Sequence, residues 1–181
     1  MALNSLQDLY VEKIKDLYSA ENQIIKALPK MIKGANTPQL QQAFQQHLQV
    51  TQSHAQRLEK IAQSMNKKPT GKKCAGMEGL LEEGSELLQE NAEPDVLDAG
   101  LIAAAQSVEH YEIAGYGAAR TWAEMLGEDE AASLLEQTLK EEKEADETLT
   151  QIAESSVNML AEQGDGAQKP KQKATMRGST E

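Results

Sequence analysis

Apolar side chains recur at alternating steps of three and four along four long stretches of this chain, the spacing that lines one face of an α-helix. The first stretch carries Tyr10, Ile14, Leu17, Glu21, Ile24, Leu28 and Met31. The second carries Leu40, Phe44, His47, Thr51, His54, Leu58, Ile61 and Met65. The third carries Ile102, Ala105, Glu109, Glu112, Tyr116, Ala119, Ala123 and Leu126. The fourth carries Leu135, Thr138, Glu142, Ala145, Leu149, Ile152, Ser156 and Met159. In each seam the ends are mainly apolar and the middle is polar.

Cap and breaker residues divide these stretches into elements. The first helix is expected over 3–33, with Asn4 or Ser5 as its cap and Gly34 and Pro38 stopping it. The second spans 38–65 and ends before NKKPTGKK. Pro94, a good first-turn residue, opens the third, which runs to Leu126 and is closed by Gly127. The fourth runs from 128 to 160. Between the second and third, MEGLLEEGSELLQE (77–90) has leucines at helical spacing and Gly84 in its middle, so a short or broken helix is expected there. Short turns make antiparallel neighbours. One long crossover between helices two and three predicts an all-α, ferritin-like four-helix bundle with a short fifth helix in the crossover. The bundle should occupy 1–160, leaving 161–181 as a flexible, locally basic tail.

The polar middles pose a physical problem. In VEHYEIAGY (108–116) two acids, Glu109 and Glu112, interrupt a run that is otherwise fit for burial. An unpaired buried carboxylate costs several kcal/mol. Acids from several helices at one level would also repel one another and raise each other's pKa. A divalent or trivalent cation relieves both costs, and a carboxylate and imidazole donor set suits iron or manganese.

A weak internal repeat sharpens the candidate set. RLEKIAQ (57–63) resembles TLTQIAE (148–154) at an offset of 91, which aligns Thr51 with Glu142 and His54 with Ala145. The dinuclear carboxylate pattern takes Glu-x-x-His from two helices and a single Glu from each of the other two. Glu21 and Glu109 supply the single acids, Thr51-x-x-His54 keeps only the histidine, and Glu142-x-x-Ala145 keeps only the glutamate. Glu112 and Asp146 are further acids available for the vacancies. The predicted metal ligands are therefore Glu21, His54, Glu109, Glu112, Glu142 and Asp146, holding two ions of iron or manganese. His47 reads equally as a hydrogen-bonded core histidine, Tyr116 as a packed core tyrosine and His110 as a surface or supporting residue. Cys74, in the basic loop KKCAG, reads as an ordinary thiol.

Composition and charge narrow the function classes. Aromatics are only 3% of the 181 residues, and the chain has a formal charge of −11. The segment 167–180 holds Lys169, Lys171, Lys173 and Arg177 and no acid, so the remainder is more acidic still. An acidic body argues against nucleic acid as a partner. The single cysteine excludes an internal disulfide and a zinc knuckle. No window reaches the roughly 20 apolar residues of a membrane span, so a cytoplasmic protein is expected. A second apolar stripe, Leu3, Leu6, Leu9 and Ile25, suggests a homodimer.

Four blocks, SAENQIIKALPKM, HLQVTQSHAQRLE, SVEHYEIAGYG and LKEEKEADETL, resemble in order the YciE/YciF family of ferritin-like bacterial stress proteins. The resemblance spans about 3–160. It implies a ferritin-like bundle with a crossover helix, commonly dimeric, and an association with general and osmotic stress. Three functional readings stand at this point: a metal-dependent protein handling peroxide or O2, a non-catalytic scaffold or metal buffer with a degenerate site, and a weak DNA-protecting protein.

Overall fold

The computed structural model describes residues 3–164. Helix α1 (Leu6–Gly34) starts at Ser5, whose hydroxyl accepts from the Asp8 amide at 3.1 Å. The polypeptide leaves α1 through an extended Ala35, and the turn is held from across the fold. Asp98 accepts the backbone amides of Asn36 at 2.8 Å and Thr37 at 2.7 Å. Helix α2 (Pro38–Ser64) then opens on Pro38 and is followed by Asn66 at φ 54, a left-handed position suited to Asn. The crossover helix α3 (Ala75–Leu87) is continuous through Gly84, which packs onto α4: a Cβ there would lie 3.6 Å from that of Ala104. Helix α4 (Pro94–Met125) is turned into α5 (Asp129–Ile152) by Gly127 at φ 74.

The hairpins α1–α2 and α4–α5 pack against each other, with α3 lying across α4 and α1. All elements are helical among the described residues, so the expected bundle with a crossover helix is observed. Nearly every predicted seam position faces the interior. The difference is at the end of the fourth seam. A π-helical turn, Ala153–Val157, joins α5 to α6 (Asn158–Gly164), so the helical path passes the expected limit at 160. The wider turn lets steps of four keep one face inward. Leu149, Ala153 and Val157 are therefore buried, while Met159 is exposed. The basic residues of the expected tail lie outside the described residues.

Two apolar clusters lie in the two halves of the bundle. Tyr10, Ile14, Leu17, Leu58 and Leu135 belong to one; Ile24, Leu28, Phe44, Leu101 and Leu149 belong to the other. Near the join, α1 and α4 approach closely because Gly115 has no side chain. A Cβ at that position would come within 2.9 Å of Leu17 Cδ2. The polar residues of the four seams lie between the two clusters.

Candidate metal centre

Glu21 from α1, Thr51 and His54 from α2, Glu112 from α4 and Glu142 from α5 are all fully buried, and Glu109 is 3% exposed. Their donor atoms gather in two groups. Glu21, His54 and Glu142 form one; His47, Glu109, Glu112 and Glu142 form the other, and within each group the donors lie inside 4.8 Å of one another. Glu142 belongs to both.

Five of the six residues singled out from the sequence thus meet in one place. Asp146 stands aside. Its carboxylate accepts from Gln106 Nε2 at 3.1 Å and faces His110 Nε2 at 3.5 Å, and it belongs to neither group. His47 joins instead. It lies two helical turns before His54 on the same seam, and its Nε2 is 3.3 Å from Glu109 Oε1. The seven-residue spacing of the two histidines was the available signal. Thr51 supplies no ligand atom, because its hydroxyl donates to the His47 carbonyl at 2.8 Å.

His54 is held from outside the cluster. Its Nε2 faces Glu141 Oε2 at 2.9 Å, and Arg57 grips Glu141 through Nη1 and Nη2 at 2.5 and 3.0 Å. Glu141 and Arg57 carry no mark of this role in the sequence, since both sit in charged helix surface. With Nε2 so engaged, His54 turns Nδ1 inward, 2.8 Å from Glu142 Oε1 and 3.5 Å from Glu21 Oε1. The Tyr116 hydroxyl donates to Glu21 Oε1.

These approaches are close but leave polar atoms without hydrogen bonds. His54 Nδ1, His47 Nε2, Glu21 Oε2, Glu109 Oε2 and both oxygens of Glu112 and of Glu142 are buried and lack a hydrogen-bond partner. Such orphans each cost of order 1–3 kcal/mol or more when charged. Donors around one octahedral ion at roughly 2.1 Å lie roughly 3 Å apart, so the crowding and the missing hydrogen bonds fit a cation within each group.

The protonation pattern has the same origin. Burial, then the charges of Glu21, Glu142 and Glu109, pushes Glu112 well above the usual carboxylate range. Burial and Glu142 do the same to Glu109. Glu21 is raised by burial, against the pull of His54. For Glu142 burial also works upward, but the close approach and the charge of His54 outweigh it and lower the pKa. Burial pulls His54 down, yet Glu142 and Glu21 lift it to about 10. His47, pressed by burial and by the charge of His54, falls below its ordinary value. For Glu141 burial opposes ionisation, while bonds from Arg57, Gln137 and His54 bring it down to about 2. Without a cation, burial and mutual repulsion thus favour the protonated forms of Glu109 and Glu112.

The second conspicuous side chain of the sequence, Cys74, lies just before α3 and is fully buried, with Sγ 3.0 Å from the Tyr111 hydroxyl. Lys72 and Lys73 pair with Asp16 and Glu78, not with the thiol.

Fold and site together define an all-α helical bundle with a buried carboxylate and histidine cluster able to hold metal. The chain belongs to the family described as Domain of unknown function (DUF892), whose model matches residues 5–162. It is 44% identical over 163 residues to Protein YciF of Escherichia coli (strain K12), covering 90% of this chain and 98% of that protein. The crystal structure of the E. coli stress protein YciF superposes with a TM-score of 0.80 at 40% identity, covering 92% of this chain and all of the other. YcfI from Rhodopseudomonas palustris superposes at 0.79 with 43% identity, covering 81% of this chain and 94% of that one. The family resemblance drawn from the four sequence blocks is borne out.

Proposed function

We propose that this protein is a ferritin-like stress-response protein that holds two ions of iron or manganese and handles peroxide or O2. The observation that carries the reading is the pair of buried donor groups sharing Glu142. Glu21, His54 and Glu142 would hold one ion, and His47, Glu109, Glu112 and Glu142 the other. Thr51 and Ala145 depart from the Glu-x-x-His pattern. Glu112, one turn along from Glu109, takes the place of the missing acid, and His47 that of the missing histidine. Asp146 is left as a neighbour that raises Glu109 electrostatically. The ions would supply redox change and an open position for the oxidant. The chain's residues orient and shield that position. Arg57 and Glu141 fix the His54 ring, Tyr116 holds Glu21, and the apolar cluster around Ile14, Leu17, Leu58 and Leu135 shields one side of the layer from water.

Protein loaded with Fe(II) is expected to bind about two ions per chain. Glu142→Ala should remove both, whereas Glu21→Ala should spare the ion of the larger group; elemental analysis reads both outcomes. Unchanged metal content in Glu142→Ala sinks the reading. The second reading, a metal buffer or scaffold, draws on the unused Thr51 position. Peroxide consumption no faster than that of free metal ions would favour it.

The proposal extends to a cytoplasmic homodimer. No described helix is long and apolar enough to cross a membrane. Leu3, just before α1, and Leu9, in its first turn, are 54% and 36% exposed and would form the centre of the contact.

A further inference from the structure

The half of the bundle beyond the donor groups is filled only in part. A cavity of about 650 Å3 runs between α1, α2, α3, α4 and α5. Its walls are mainly apolar, with Ile24, Leu28, Phe44, Leu81, Val108 and Leu149 among them. Its inner end reaches His47 and Glu109, of the larger donor group. The space opens to solvent, so much of its apolar wall faces water, and covering that wall with an apolar molecule is favourable. The volume lies within the roughly 300–1,000 Å3 of small-molecule sites.

We propose that this cavity binds a single-chain aliphatic compound with an uncharged head. The occupant has to be thin. Packed helices stand roughly 8–10 Å apart, and a further helix is itself roughly 10 Å wide. A further helix is too wide for the spacing of packed helices, whereas an extended hydrocarbon is not. The charged groups of the lining are of both signs and do not select an ionic head: Lys26 and Lys30 come from α1, Glu78 and Glu82 from α3, and Glu141 and Glu144 from α5. A head of either charge meets repulsion from one set or the other.

Ala145 ties this cavity to the departure from the dinuclear pattern. It lines the cavity at the position where the α2 half of the repeat has His54. An imidazole there would take up part of the space. Shifting the second histidine to position 47 leaves the α5 wall small and the passage open. Ala105, one turn before Glu109, is likewise small and lines the same space. Occupancy does not need the ions. Only the placing of the inner end of the chain beside a metal centre rests on the reading above.

The test uses the full chain, metal-free, titrated with octyl alcohol and, separately, octanoate by calorimetry. Saturable binding of the alcohol is expected, with octanoate weaker. Ala105→Leu and Ala145→Leu should each weaken the alcohol by about tenfold or more, since displacing two methylenes forfeits roughly 1.4 kcal/mol. Should either variant not fold, methyl NMR of the unaltered protein decides. Shifts at Ile24, Leu28 and Leu149 on adding alcohol support the site, and shifts confined to Leu3, Leu9 and Leu160 overturn it. Absent saturable binding, or binding untouched in two folded variants, also overturns it, as does octanoate binding more tightly than the alcohol. A protein that takes up the alcohol but never iron would sink the metal reading and leave this one standing.

Discussion

His54 shows how one side chain can be fixed from two directions. Arg57 and Glu141 hold its outer nitrogen, and the inner nitrogen faces Glu21 and Glu142. Removing the outer support should loosen the ring without touching a donor. Glu141→Ala is therefore expected to weaken metal affinity by roughly 10–100-fold in a metal-competition titration, with helix content by circular dichroism unchanged. The acids themselves set a pH dependence for the metal-free protein. Glu21, Glu109, Glu112 and His54 all have folded-state pKa values above their ordinary ones. The stability they contribute is complete below those ordinary values, 4.5 for the acids and 6.5 for histidine, and is lost as pH rises through the folded values. Glu141 and Glu142, whose pKa values are lowered, act in the opposite sense and lose their contribution as pH falls below the ordinary 4.5. Metal-free protein should thus melt highest in mildly acidic buffer and progressively lower through neutral to alkaline pH. Added metal should reverse the alkaline decline, because its binding expels the protons. A melting temperature that rises steadily from pH 5 to pH 9 without metal would contradict the assignment.

At the scale of elements, the helices are positioned by a few tertiary fasteners. Asp98 of α4 accepts two backbone amides of the α1–α2 turn and is wholly buried. Asp98→Ala leaves those amides without a partner and should cost about 2–4 kcal/mol of unfolding free energy, read by urea denaturation. The turn lies at one end of the bundle, away from the donor layer. The folded fraction of that variant should therefore keep its metal. A second fastener ties the start of α3 to α1, where the Cys74 amide donates to Ser19 Oγ at 2.9 Å and Gln23 Nε2 donates to the Cys74 carbonyl at 3.0 Å. Both fasteners join residues more than 50 positions apart in sequence, so they secure the crossover geometry and not the helices themselves.

For the molecule as a whole, the donor layer lies between two apolar clusters with different packing. The cluster around Ile14, Leu17, Leu58 and Leu135 closes one side of the layer. The other side opens into the cavity. The exposed leucines at the start of α1 lead to one prediction at this scale. Sedimentation at micromolar concentration should show a dimer, and Leu3→Glu with Leu9→Glu should shift it to monomer. A wild-type chain that sediments as a monomer would end the dimer proposal.

Helical periodicity, caps and turn residues determined much of this protein locally. The long helices, their order and the level at which acids interrupt the core all follow from spacing along one chain, because a helix places its side chains by a fixed repeat. The same repeat brought Glu21, His54, Glu109, Glu112 and Glu142 to one layer. It could not separate Asp146 from them, since one position on a helix shifts a side chain by about 100° and only the packing partner reveals the consequence. Nor could it choose between core and site for His47, or find the Arg57–Glu141 clasp, whose members are 84 residues apart. The π-helical turn after Ile152 and the unfilled space beside Ala145 were likewise decided by how whole helices pack. Those outcomes depend on distances between elements, which local sequence spacing does not encode.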